Sequence, residues 1–261
     1  MGPGRDPART DLRMAADDSR PDARVEAAYF DELVASAGEF NPFTDAGWRV
    51  LERRFIELAR PRPAMRVLDI GCGTGQSRQL YAAYAASYTG VDLAERALAR
   101  ARVRFPEDRW MCCDARRLPF EAGAFDLVAF SSVLHHIADF ETALCEAHRV
   151  LGPGGTVFAF DPNLLHPAMA LFRYPRSPLY SSKGVSPNEA PLLPRALRAG
   201  FERAGFHAIR QRAQSDVAYR EVAPRMLNAG LRLYNLADRW FERVGLGRWF
   251  GVFVLTAAAK A

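Results

Sequence analysis

Between residues 65 and 161 short apolar runs alternate with amphipathic segments, and few folds satisfy that alternation. Strands are predicted at 66–70, 87–91, 109–112, 127–130 and 156–160, with helices near 76–86, 94–105 and 140–150. Strands apolar on both sides and separated by helices build a parallel sheet covered on both faces. Such sheets bind ligands beyond the carboxyl ends of their strands, where the strand order reverses.

The flanks read differently. Residues 1–21 are rich in Gly, Pro, Asp and Arg without apolar periodicity, and are expected to form a disordered tail. Residues 22–62 carry two helical stripes, one through Val25, Ala28, Tyr29 and Leu33, the other through Trp48, Leu51, Phe55 and Leu58. They are expected to form an N-terminal helical cap. Residues 163–190 mix aromatics, prolines and serines without a period. A helix is predicted at 194–204, a strand at 207–213, a long amphipathic stretch at 222–244 and a closing strand at 252–258.

Composition removes several function classes. The chain has 261 residues, 49% of them hydrophobic, yet no apolar run approaches the ~20 residues of a spanning helix. The formal net charge is +5, but the 35 basic residues, all arginine except Lys183 and Lys260, are interleaved with 30 acids. No separate basic block marks a nucleic-acid surface. Cys72, Cys112, Cys113 and Cys145 form no CxxC pair and read as reduced thiols of a cytoplasmic protein. No cluster has metal-ligand spacing, so no metal is expected.

The sharpest motif is Val67-Leu68-Asp69-Ile70-Gly71-Cys72-Gly73-Thr74-Gly75-Gln76, an apolar strand running into a glycine loop. A dinucleotide loop places a third glycine three residues after the second; counted from Gly73 that position is Gln76. No lysine is near for a phosphate loop. The spacing favours a nucleoside ligand without pyrophosphate, against the plainer reading of a structural strand–helix turn. Asp92 ends the next strand, 92 − 69 = 23 residues after Asp69. An acid at about that distance is placed to accept from ribose hydroxyls. Asp114 follows the third strand, where a carboxylate can accept from an adenine amino group. Asp126 and Ser131 bracket the fourth.

As an ordered set, residues 67–75, 90–93, 114–120, 125–131 and 148–155 resemble the class I S-adenosylmethionine-dependent methyltransferases of the small-molecule group that includes the quinone-ring enzymes. The resemblance implies a doubly wound α/β, Rossmann-like sheet of seven mostly parallel strands, helices on both faces and an antiparallel C-terminal strand. It implies a floor of Asp69, Gly71, Cys72, Gly73 and Gly75 beneath the methionine part of S-adenosyl-L-methionine, with Cys72 a small spacer. Asp92 would hold the ribose, Leu93 would lie against the adenine, and Asp114 with the Ala115 backbone would bind the adenine edge. Ser131 would offer its carbonyl or hydroxyl to the cofactor's ammonium, and Asp126 would serve the strand–loop junction.

The implied reaction is methyl transfer to a small acceptor, which the aromatic and apolar content of 163–190 suggests is apolar or aromatic. A cofactor-binding regulatory protein and a protein or RNA methyltransferase are the competing classes. His135 and His136, just past the fourth strand, are the candidate bases, or else they only order the turn. Asp161 should face the crevice, and His166, Tyr174 and Tyr180 are lid candidates. The stretch 222–250, with tryptophans and leucines among Arg225, Arg232, Arg239, Arg243 and Arg248, fits either a helix packed on its own domain or peripheral contact with an anionic membrane. Oligomeric state is not legible.

Overall fold

The computed structural model describes residues 23–37, 41–181, 185–220 and 229–261; the expected tail at 1–21 lies outside them. Strands β1 (Met65–Ile70), β2 (Ala85–Asp92), β3 (Arg109–Cys112), β4 (Phe125–Ser131), β5 (Leu151–Pro162), β6 (His207–Gln214) and β7 (Phe253–Ala259) form one sheet in the order β3-β2-β1-β4-β5-β7-β6. The first five pair in parallel, and β7 runs antiparallel to both β5 and β6. Chain order reverses between β1 and β4, so the crevice lies at their carboxyl ends.

Successive strand residues supply opposite layers. Val67, Leu127 and Phe158 face α2 (Asp45–Ala59), α3 (Arg78–Tyr81) and α4 (Glu95–Arg104); Leu68, Val128 and Val157 face α5 (Phe140–Val150) and α7 (Pro194–Arg203). Thr44 starts α2 by accepting from the Gly47 N–H at 3.2 Å. Phe55 of α2 is fully buried, its ring edge-on to Tyr81 and Phe158, each 5.1 Å between centroids. Phe55→Ala should therefore destabilise the fold by about 3–5 kcal/mol, read from denaturant unfolding. A loss under about 1 kcal/mol would show that the site collapses around the missing ring.

Three sequence expectations need correction. First, 22–62 is not one cap, because α2 belongs to a layer of the sheet. Only α1 (Ala23–Ala37) reaches the crevice, packing Phe30 and Val34 on Ala94 and Ala97, with Asp31 accepting the Arg96 N–H at 2.8 Å. Second, the helix predicted at 76–86 is only α3 and a 3-10 turn at Ala82–Tyr84. The alanines there favour helix, but Ala85 pairs with Met65 and sheet registry overrides propensity. Third, 163–190 contains a short helix, α6 (Pro167–Phe172), opened by its own proline. Of the long stretch at 222–244, residues 222–228 lie outside the described residues and the remainder holds α8 (Leu231–Arg243), followed by α9 (Gly247–Phe250).

Candidate active site

The loop after β1 turns on glycines with positive φ. A side chain on Gly71 (φ +73°) would overlap Val133, whereas Gly73 (φ +52°) faces open space. Gly73 thus gives a ligand direct access to backbone. Its N–H donates to Asp92 Oδ2 at 2.8 Å, and the Ala94 N–H donates to Oδ1 at 2.9 Å. Asp92 clamps the loop after β1 to the start of α4. Burial raises its pKa, and these backbone donors work against that rise. Cys72 is buried and burial drives its thiol well up, which keeps it protonated and suits a spacer.

Asp69 lies inside the protein rather than beside a ligand. It is fully buried, accepting from the hydroxyls of Ser131 at 2.5 Å, Ser77 at 2.5 Å and Tyr88 at 2.6 Å. Burial lifts its pKa to about 6 against the pull of those donors. Asp69 ties β1 to β2, β4 and the glycine loop from beneath. Ser131 follows it inward. Its hydroxyl proton goes to Asp69, and its oxygen accepts from Tyr81 at 3.1 Å, so the hydroxyl is engaged inside the protein.

Asp114 is half-buried and forked by Arg116, with Oδ2 2.7 Å from Nη2. Burial works upward on its pKa, and the Arg116 hydrogen bonds and charge outweigh it. Leu93 is half-buried beside Asp92, while the Ala115 side chain is in the core, leaving its backbone. Asp126 is a junction group at the amino end of β4, accepting from the Arg66 backbone at 2.8 Å and its guanidinium at 2.8 and 3.0 Å.

His135 and His136 sit on a 3-10 turn (Leu134–His136) just past β4, their rings 3.9 Å apart. His135 is buried, with Nδ1 2.8 Å from Asp161 Oδ1. The same oxygen accepts the His135 backbone N–H at 3.1 Å, while Asp161 Oδ2 has no partner. Asp161 therefore lies fully buried behind His135 instead of facing the crevice directly. Burial pushes its carboxyl up to about 8 and His135 well down.

His136 Nδ1 lies 2.8 Å from Ser186 Oγ and 2.9 Å from Glu26 Oε1. Ser186 donates to that Glu26 oxygen, and the Asn188 N–H donates to Oε2 at 3.0 Å. Phe30 meets the His136 ring edge-on. Burial favours neutral Glu26, but the bonds from His136 and Ser186 prevail and hold its pKa below the usual value. Sequence reasoning missed Glu26 and Ser186. They stand 160 positions apart and belong to no local motif. Of the lid candidates, His166 is buried against Tyr234 and Phe241, and Tyr174 and Tyr180 are exposed.

The arrangement suits an adenosyl ligand. A carboxylate offers about four acceptor positions; two of those on Asp92 serve backbone donors and the rest can take ribose hydroxyls. Gly73 leaves the approach clear. Among the described residues no group of three His, Cys, Asp or Glu side chains is placed to hold a metal ion.

Fold and loop together define an S-adenosylmethionine-dependent methyltransferase. Comparisons with known proteins agree: residues 68–159 match the methyltransferase domain family. An uncharacterised methyltransferase of Synechocystis sp. is 33% identical over 166 residues, covering 61% of this chain and 77% of that protein. Demethylmenaquinone methyltransferase of Thermus thermophilus is 40% identical over 126 residues, 45% of this chain, and the chain spans only 56% of its length. A solved S-adenosylmethionine-dependent methyltransferase of Thermotoga maritima shares the fold, with a TM-score of 0.62 and 19% identity over 90% of this chain and all of that one. The chain belongs to the class I S-adenosylmethionine-dependent methyltransferases.

Proposed function

We propose that the chain methylates a small apolar or aromatic acceptor that must give up a proton, with His135 taking that proton. The observation that carries this reading is the buried His135–Asp161 pair, His135 just past β4 and Asp161 at the carboxyl end of β5. Val133, two residues before His135, lies against Gly71, which supports a histidine turn next to the loop proposed to hold the cofactor. The segment after β5 adds Leu165, Leu171 and Phe172, an apolar border suited to an apolar acceptor. Relatives named as a demethylmenaquinone methyltransferase and a ubiquinone/menaquinone biosynthesis C-methyltransferase support a quinone-like ring.

When bound, S-adenosylmethionine supplies a methyl group on a positively charged sulfur. His135 would take the proton that the acceptor gives up on receiving that methyl group, with Asp161 fixing its ring through Nδ1. Gly73 and the Ser131 carbonyl would seat the methionine part, Asp92 and Leu93 the ribose and adenine, and Asp114 with Ala115 the adenine edge. Enclosure favours a step that disperses charge, and positioning carries much of the rate. Label transfer from methyl-labelled S-adenosylmethionine decides the acceptor class. Label should enter a reduced naphthoquinone or an apolar extract; label confined to protein or RNA fractions overturns the reading.

A further inference from the structure

α8 faces the wrong way for a helix held by its apolar stripe. Leu233 is 74% exposed, Leu236 60% and Trp240 56%. They line one shallow concavity with Ala237 and Arg243. The inward side is instead polar and aromatic. Asn235 exchanges hydrogen bonds with the Tyr219 backbone at 2.9 and 3.0 Å, Asp238 is buried, and Tyr234 and Phe241 pack near His166. Trp249 continues the exposed apolar surface into α9 at 61%.

Charge is sorted the same way. Between 231 and 250 the exposed ions are Arg232, Arg239, Arg243 and Arg248. The two acids of that segment turn inward: Asp238 is buried, and Glu242 is half-buried and paired with Arg54 and Arg212. Asp216 pairs with Arg239, leaving Arg232 and Arg243 flanking the apolar stripe. An outward apolar stripe with tryptophan, bordered by arginines, is the arrangement of a helix lying in the headgroup plane of a bilayer. A second copy of this face would bring arginines and no outward acid from that segment, which disfavours self-pairing and favours an anionic partner.

We propose that α8 and α9 dock on an anionic lipid surface. α8 joins the crevice side of the molecule through His166 at the start of α6, and the Asn163 side chain donates to the Trp249 carbonyl at 3.3 Å. The helix that carries the docked face therefore adjoins, through its inward side, the segment proposed to border the acceptor site. The link to the acceptor rests on the proposed function; the docking itself does not.

The test is sedimentation of the full chain with vesicles of phosphatidylcholine alone or with phosphatidylglycerol. The chain should pellet with the anionic vesicles, more weakly as salt rises. Arg232→Glu with Arg243→Glu, and separately Trp240→Asp, should each lower partitioning at least tenfold. All of these side chains are exposed, so folding, checked by circular dichroism, should be unchanged. Equal recovery in the supernatant with and without anionic vesicles overturns the proposal. So does a concentration-dependent dimer that Trp240→Asp makes monomeric. Methyl transfer to a water-soluble acceptor, assayed without vesicles, reports on the proposed function independently of either result.

Discussion

Replacing Asp92 with alanine is expected to weaken S-adenosylmethionine binding by at least tenfold, and by as much as about a thousandfold. Two losses combine. The ribose hydroxyls lose a charged acceptor, and hydrogen bonds to a charged group contribute about 1.5–3 kcal/mol each. The N–H groups of Gly73 and Ala94 lose their shared partner as well, so the loop after β1 is no longer tied to the start of α4. Asp92→Asn should fail too, because the amide turns a donor toward one of two N–H groups that already donate. Calorimetry with the cofactor reads both variants. Unchanged affinity in Asp92→Ala would show that the ribose binds elsewhere.

The second large effect concerns Asp161. Its carboxyl is pushed up to about 8 by burial, and His135 well down by the same cause. Below about pH 8 the pair therefore keeps a proton on Asp161, donated to His135 Nδ1, and the other ring nitrogen carries the imidazole hydrogen. Such a ring has no lone pair to offer. Above that pH Asp161 is ionised, Nδ1–H donates to it, and Nε2 is free to take the acceptor's proton. The sign follows: kcat/KM should rise with pH, by about tenfold per unit, and level off above about pH 8. Asp161→Asn should lower kcat by about 10²–10⁴-fold and erase the inflection. A flat profile across about three pH units around 8 would instead leave His135 as an organiser of its turn.

Much of the fold was legible because it is written locally. The alternation of apolar strand and amphipathic helix is a short-range pattern, and six of the seven strands fall within two residues of their expected ends, while β5 begins at Leu151, five residues before the expected 156. The glycine loop was legible for the same reason: its glycines, which allow the positive φ of the turn, stand within five positions of one another. Failures occurred where a distant partner decided the outcome. The helix after Gln76 stops early because Ala85 pairs with Met65, and no property of the alanines reveals that. Asp69 has the same spacing to Asp92 whether it faces a ligand or the interior. Only Ser77, Tyr88 and Ser131, brought around it by three separate elements, settle that it faces inward.

The amphipathic stretch near the C-terminus makes the contrast sharpest. Its periodicity was visible, and so was the choice between a packed helix and a surface-binding one. Which side would face out depended on whether Asn235 and Asp238 or Leu233 and Trp240 met the body of the protein, and a helical wheel has no preferred zero. The residue order alone determined the layered α/β sheet and the turn after β1, because those follow from period and spacing along one chain, and the resemblance carried by that ordered set of motifs implied the cofactor class. The tertiary structure alone decided the His135–Asp161 pairing, the Glu26–His136–Ser186 contact and the outward apolar face of α8. Each of these depends on contacts between segments far apart in the chain, and the energy of such contacts is invisible until the chain has closed on itself.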